Sequence, residues 1–239
     1  MFKLVLKLEI KNVLRDKMYK FFVLYPLILG VVALFLMPYL ESQGEPLALY
    51  IVTLIFILMN GFLFGAVSGF TLLDDRDDHV ITSLKVSPIP LNQYVLTKLI
   101  LTYMFGVAST VFILIMTNFL DISNLSTFTM IALLSPMQGP MVALLINLLS
   151  SNKVEGFVIM KSAGVLMLVP IAAIFLTDWK EIFLYVVPGF WPGKLVLNDL
   201  MGAHYFLGHE LIYFFLGLLV TLSLTYLLFR LYMRKMIVI

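Results

Sequence analysis

The chain has 239 residues, is 62% hydrophobic with a mean hydropathy of +1.04, and carries a formal net charge of only +2. Soluble domains are usually ~45–50% apolar, and a domain of this size leaves too much surface exposed to hide such an excess, so bilayer hydrocarbon is its natural solvent. The absence of cysteine excludes a disulfide framework, a Cys-ligated zinc and an iron–sulfur cluster.

Residues 2–20 are too charged to cross a membrane. Lys3, Lys7, Lys11 and Arg15 recur every four positions, on one stripe of a helix, while Leu6, Ile10, Val13 and Leu14 lie elsewhere on the wheel. The spacing predicts an amphipathic helix over 1–20 in the membrane interface, its Lys stems reaching anionic headgroups. The plainer alternative is a cytosolic extension that only sets topology. Basic residues scattered over twenty positions, with no small-residue cleavage site, do not read as a cleaved signal peptide.

A spanning helix needs ~20 mostly apolar residues. Six runs qualify: Phe21–Leu40, Leu47–Leu73, Leu96–Thr117, Phe128–Leu149, Phe157–Leu176 and Leu211–Tyr232. Lipid offers the backbone no hydrogen-bond partner, so these runs should be helices; they lack the alternation of a β-barrel. Short polar turns join them, among them Glu41–Pro46, Asp121–Asn124 and Ser150–Gly156. Fourteen of the sixteen Lys and Arg fall in the N-terminal segment, the loops after the second and fourth spans, and the C-terminal tail; only Lys180 and Lys194 fall on the other side. The positive-inside rule then puts both termini in the cytoplasm.

Gly61, Gly65 and Gly69 in the second span, just after Asn60, form a small-xxx-small stripe that lets helices approach closely. It fits a packing face inside the chain, a dimer seam or a pathway lining. Ser135–Pro140 should kink or break the fourth span, and Pro170 the fifth. Gln138 and Asn147 can line a pathway or make ordinary interhelical hydrogen bonds.

The cytoplasmic loop 74–98 is the most polar stretch. It opens Asp74-Asp75-Arg76-Asp77-Asp78-His79, continues Val80–Val86 with enough length for two helical turns, and closes Ser87-Pro88-Ile89-Pro90, where the prolines stop a helix and redirect the chain. A short helix held below the membrane by two spans is suited to transmit force from a soluble partner; the bland reading is a solvated charged loop. Adjacent loop acids with one His carry no fixed metal geometry. Segment 178–210, opposite, is apolar between breaks at Pro188-Gly189 and Pro192-Gly193, with neither half long enough to cross. It reads as a re-entrant hairpin, which needs protein cover or a water-filled cavity at depth, or as an ordinary external cap. Its Trp179, Tyr185, Phe190, Trp191 and Tyr205 suit an interfacial belt.

Several chemistries find no residues. There is no P-loop, no H-E-x-x-H, no G-x-S-x-G and no intramembrane carboxylate pair. No charged residue sits mid-span, which weakens proton- or sodium-coupled transport. The basic residues follow the membrane, so nucleic-acid binding has no support.

The stretch Asp75-Arg76-Asp77-Asp78-His79-Val80-Ile81-Thr82-Ser83-Leu84-Lys85-Val86-Ser87-Pro88 resembles the E-R-E-x-G-T-L-E-x-L-x-x-T-P pattern after the second span of ABC-2 type transporter permeases. The acid–Arg–acid start, Leu84 and Ser87-Pro88 match; His79, Val80 and Thr82 depart from the usual Gly, Thr and Glu. Lys98 falls where that family often has a Lys, and Pro188 to Gly202 resembles its external re-entrant segment. The resemblance covers the chain in outline and is specific over about 25 residues. The small size is similar to drug-export permeases such as fluoroquinolone exporters.

The resemblance implies a single all-α transmembrane domain over 1–239 of the type V exporter kind. It would be a six-helix bundle with an N-terminal interfacial helix, a coupling loop over 74–98 and a re-entrant segment over 178–210, in a bacterial plasma membrane. Asp75, Arg76, Asp77, Val80, Ile81, Leu84, Ser87 and Pro88 would dock a separate ABC ATPase, two per complex. ATP and Mg would sit on that partner, this chain having no catalytic site, metal or cofactor. A second permease subunit, identical or a sister chain, would complete the pathway, with Asn60, Gly61, Gly65, Gly69 and Gln138 at the pathway or the seam. The cargo would be hydrophobic or amphipathic: a drug, peptide or lipid. The competing reading is a non-transporting membrane scaffold or sensor whose charged loop recruits another cytosolic partner.

Overall fold

The computed structural model describes residues 17–87, 89–117, 124–202 and 205–238. The expected N-terminal interfacial helix, with Lys3, Lys7, Lys11 and Arg15, lies outside the described residues, as does Pro88. Among the described residues every regular element is helical. In chain order they are α1 (Lys17–Gln43), α2 (Pro46–Asp77), α3 (Val80–Lys85), α4 (Leu91–Thr117), α5 (Leu125–Leu134), α6 (Gln138–Leu149), α7 (Lys153–Leu166), α8 (Phe190–Met201) and α9 (Glu210–Val238). Short 3-10 segments cover Ser135–Met137, Val169–Ile174 and Trp179–Leu184.

Six segments are long and apolar enough to cross a membrane: Leu24–Gln43, Pro46–Asp77, Leu91–Thr117, Leu125–Leu149, Lys153–Ile174 and Glu210–Met236. They are the six runs expected from hydropathy. The second, third and sixth continue past the apolar runs at the end that carries the Lys-rich loops, here termed the basic end. Charged residues can prolong a helix once it leaves hydrocarbon.

The turns follow from local chemistry. Gly44 (φ +68°) ends α1 in the left-handed region, where a glycine has no Cβ to clash, and Pro46 opens α2, where its missing N–H costs nothing. Within the fourth span, α5 stops at Leu134 and α6 starts at Gln138, with Pro136 in the 3-10 turn between them. The fifth span changes at its proline likewise, passing from α7 into the 3-10 segment around Pro170.

α2 is the axis of the bundle. It packs most extensively on α6 and also touches α1, α4, α7 and α8. The glycine stripe is the reason. A Cβ on Gly61 would lie 2.8 Å from the Ser135 carbonyl oxygen, and one on Gly69 would lie 2.9 Å from Ile146 Cδ1 and 3.2 Å from Ala143 Cα. One on Gly65 would strike the Gly139 backbone, and one on Gly139 would come within 2.9 Å of the Gly61 carbonyl oxygen. The stripe is therefore filled by the chain's own fourth span. Side-chain amides reinforce the seam. Asn147 Nδ2 donates to the Gly69 carbonyl at 2.7 Å, and Asn60 accepts from the Ser109 hydroxyl at 2.6 Å, joining α2 to α4.

α8 is short but buried without interruption from Phe190 to Asn198. At ~1.5 Å per residue it is ~18 Å long, against a hydrocarbon core of ~30 Å. Its first turn lies beside the break in the fourth span: a Cβ on Gly189 would be 3.1 Å from Gln138 Oε1. Its last turn lies beside that span's start, with Asp199 3.4 Å from Asn124. Phe190 and Trp191 are almost wholly buried, so they form core rather than the expected interfacial belt; Trp179 is exposed and keeps that option. The indole Nε1 of Trp191 is satisfied by the Tyr185 carbonyl at 3.0 Å, which permits its burial.

Candidate functional site

The final turn of α2 places three charged side chains in succession, and each grips a different element. Asp74 pairs with Lys153 of α7 at 2.6 Å. Asp75 pairs with Lys98 of α4 and accepts the Tyr94 hydroxyl at 2.9 Å. Lys98 also lies 5.1 Å from the Tyr94 ring centroid, a cation–π distance. Arg76 donates to the Ser150 and Ser151 carbonyls, at 3.2 and 2.6 Å, in the turn between α6 and α7.

A helix leaves its last four carbonyls without intrahelical partners and carries partial negative charge there. The C-terminus of α6 is met by two cations. Arg76 is one; Lys235 of α9 is the other, donating to the carbonyls of Asn147 (3.1 Å), Leu148 (2.8 Å) and Ser150 (3.2 Å). The end of α2 thus connects α4, α6, α7 and, through the shared Ser150 carbonyl, α9. The turn itself is held by the start of α7, where Asn152 accepts from Glu155 N at 3.0 Å and Glu155 accepts from Ser151 N at 2.6 Å, a variant of the capping box.

Past this hub the chain turns through His79, whose φ of +57° lies in the left-handed region. That is where the resembled permeases carry Gly, and the geometry explains such a choice, since a side chain there costs roughly 1 kcal/mol. The six-residue α3 follows. Ile81 anchors it, buried among Leu72, Tyr94, Val95, Leu99, Tyr232 and Met236. Leu84 and Ile89 pack partly on the same cluster. Ser87 closes the turn by donating to the Leu84 carbonyl and accepting from Ile89 N, both at 3.1 Å.

The residues expected to face a partner therefore divide. Asp75, Arg76, Ile81 and Ser87 hold the loop in place; Val80 and Leu84 are half-buried. Asp77, Asp78, Thr82, Ser83 and Val86 are exposed, Val86 at 90%. Among the described residues no three His, Asp or Glu side chains are grouped to hold a metal ion. Asn60, Gly61, Gly65 and Gly69 lie in the interhelical seam; Gln138 lines an apolar cavity of about 290 Å³ with Phe62, Met141, Met167, Val187 and Gly189.

A second charged cluster sits at the opposite end and was not singled out from the sequence. Glu181 and Lys194 are 0% and 1% exposed and 2.9 Å apart. Glu181 Oε1 accepts the Tyr185 hydroxyl at 2.8 Å and the Tyr213 hydroxyl as well, and Lys194 also donates to the Leu176 carbonyl at 3.4 Å. Burial, and then the hydrogen bond to Glu181, push the Tyr185 hydroxyl up to about 12. The network ties the 3-10 segment Trp179–Leu184 to α8 and α9. The only forewarning is that Glu181 and Lys194 lie in a segment with long apolar runs, and Asp178, Lys180 and Asp199 beside them hide which charges pair.

Residues 9–229 match a family model described as "Fluoroquinolones export permease protein Rv2686c-like". Two curated relatives are the fluoroquinolones export permease proteins Rv2686c and MT2760 of Mycobacterium tuberculosis, strains ATCC 25618 / H37Rv and CDC 1551 / Oshkosh. Each is 26% identical over 149 residues, covering 60% of this chain and 58% of the relative, so the alignment spans under two thirds of their length. No solved structure gives a significant match.

Proposed function

The chain belongs to the Rv2686c-like family of fluoroquinolone export permeases, and from that membership we propose that it is the membrane subunit of an ATP-driven exporter. In this reading the basic end faces the cytoplasm and α3 docks into a separate ATPase subunit, two of which bind ATP and Mg. Two permease chains, identical or sister, enclose the pathway. Their seam is made by surfaces other than the Gly61–Gly65–Gly69 stripe, which packs within the chain.

The observation that carries the proposal is the way α3 is mounted. Ile81 seats it, consecutive side chains of α2 tie its base to α4, α6 and α7, and Val86 stands out of it. A push on α3 is passed through Ile81 and the end of α2 to α4, α6 and α7. The push has an effect only if the two membrane states contact the partner differently. The position of α8, running from the level of Gln138 to that of Asn124, supports a re-entrant segment at the outer face. Residues 186–189, leading into it, close one side of the cavity that holds Gln138, a hydrophobic chamber with one amide suited to an amphipathic drug such as the fluoroquinolones for which the relatives are named.

The test is a Val86→Asp variant. Val86 is exposed, so insertion and folding should be unaffected, whereas Leu84→Asp would also disturb the cluster beneath α3. The wild type should co-purify a P-loop ATPase and lower intracellular drug, and Val86→Asp should lose both. A stable complex lacking any ATPase would favour a non-transporting scaffold instead.

A further inference from the structure

A groove between α4 and α9, about 520 Å³ in volume, has walls that include Met137, Leu222, Tyr226 and Phe229. Three hydroxyl-bearing residues line it, and two are engaged with backbone: Tyr103 donates to the Leu133 carbonyl at 3.0 Å and Thr225 to the Thr221 carbonyl at 2.7 Å, while Tyr226 is the third. The remaining lining is apolar, whereas the other cavity carries the Gln138 amide. Along α9 the groove runs from Leu218 to Phe229, roughly 16 Å at ~1.5 Å per residue. One leaflet of a ~30 Å hydrocarbon core has about that depth. The groove begins beside the break in the fourth span and ends about one turn short of Tyr232 and two short of Lys235, so it occupies the half of the membrane nearest the basic end.

At that lower end stands Arg230. Its guanidinium lies 5.7 Å from the centroid of the Tyr226 ring, itself a groove wall, and no carboxylate pairs with it among the described residues. A cation held over an aromatic wall, at headgroup level, beside an apolar trough of leaflet depth, is complementary to an anionic lipid. We propose that this groove binds an anionic phospholipid of the basic-end leaflet, one acyl chain between α4 and α9 and its phosphate on Arg230. A guanidinium meets phosphate with two parallel donors, and the apolar walls suit an acyl chain. The site needs only a chain that crosses the membrane, and stands whether or not an ATPase drives it.

The experiment is native mass spectrometry of the purified full chain after exchange into micelles holding phosphatidylglycerol or phosphatidylcholine with identical acyl chains. The wild type should retain phosphatidylglycerol about fivefold better, the factor expected of one basic residue near an anionic surface. Arg230→Gln should abolish that preference while lipid of either kind stays bound; Arg230→Lys should keep most of it. Leu222→Trp, which fills the groove, should reduce retention of both lipids. Equal retention of the two lipids by the wild type overturns the proposal, as does an Arg230→Gln protein that still prefers phosphatidylglycerol. If Leu222→Trp instead splits a dimer and leaves lipid retention unchanged, the groove is an interface between copies and the proposal fails.

Discussion

The two charged clusters at the ends of the bundle solve opposite problems. At the basic end, Asp74, Arg76, Lys153 and Lys235 sit partly wetted at the mouth of the helices around the more buried Asp75–Lys98 pair, and Arg76 and Lys235 bind backbone carbonyls at and just past the end of α6. At the other end, Glu181 and Lys194 are sealed among aromatic rings. Charges at a wetted mouth can exchange partners at little cost and suit a part that moves. Charges sealed from water have no alternative partners and suit a part that must hold one geometry.

The comparison predicts unequal responses to mutation. Removing one member of the sealed pair has the largest effect: Glu181→Gln or Lys194→Met should lower stability by about 3–5 kcal/mol, because a buried charge is left alone. The double variant Glu181→Leu/Lys194→Met should recover much of it, read as thermal unfolding in detergent. Asp75→Asn comes next. It weakens the ion pair with Lys98, 6% exposed, and should cost about 1.5–3 kcal/mol, as expected for hydrogen bonds to a charged group. His79→Gly should stabilise by roughly 1 kcal/mol by relieving the left-handed backbone. Lys153→Ala, which breaks a half-exposed pair, should change stability by less than about 1 kcal/mol and should matter less still at high salt. A salt-sensitive loss at Glu181 would erase the distinction between the ends.

How far each end can be read from sequence follows from the same contrast. Spans announce themselves because hydrocarbon demands unbroken apolar runs, and Pro136 and Pro170 mark the breaks because neither has an N–H to give. The basic-end loop stands out because its charges are contiguous. Which of its residues point outward does not, since Ile81, Leu84 and Val86 are equally apolar and only the position of Tyr94, Tyr232 and Met236 decides that Ile81 is the anchor. The glycine stripe shows that something packs closely on α2, yet its partner Gly139 is remote in the chain, so the identity of the neighbour is a tertiary fact. Glu181 stands beside Lys180 in a 3-10 segment and Lys194 lies in α8, and nothing local says that they meet.

The claim beneath the rest is that the end bearing α3 faces the cell interior. The chain has no cysteine, so Val86→Cys and Trp179→Cys each create a single reporter thiol, at exposed positions on opposite ends. With a membrane-impermeant maleimide, Trp179→Cys should label in intact cells and Val86→Cys only in inside-out vesicles. Labelling of Val86→Cys from outside intact cells would invert the molecule and contradict the account.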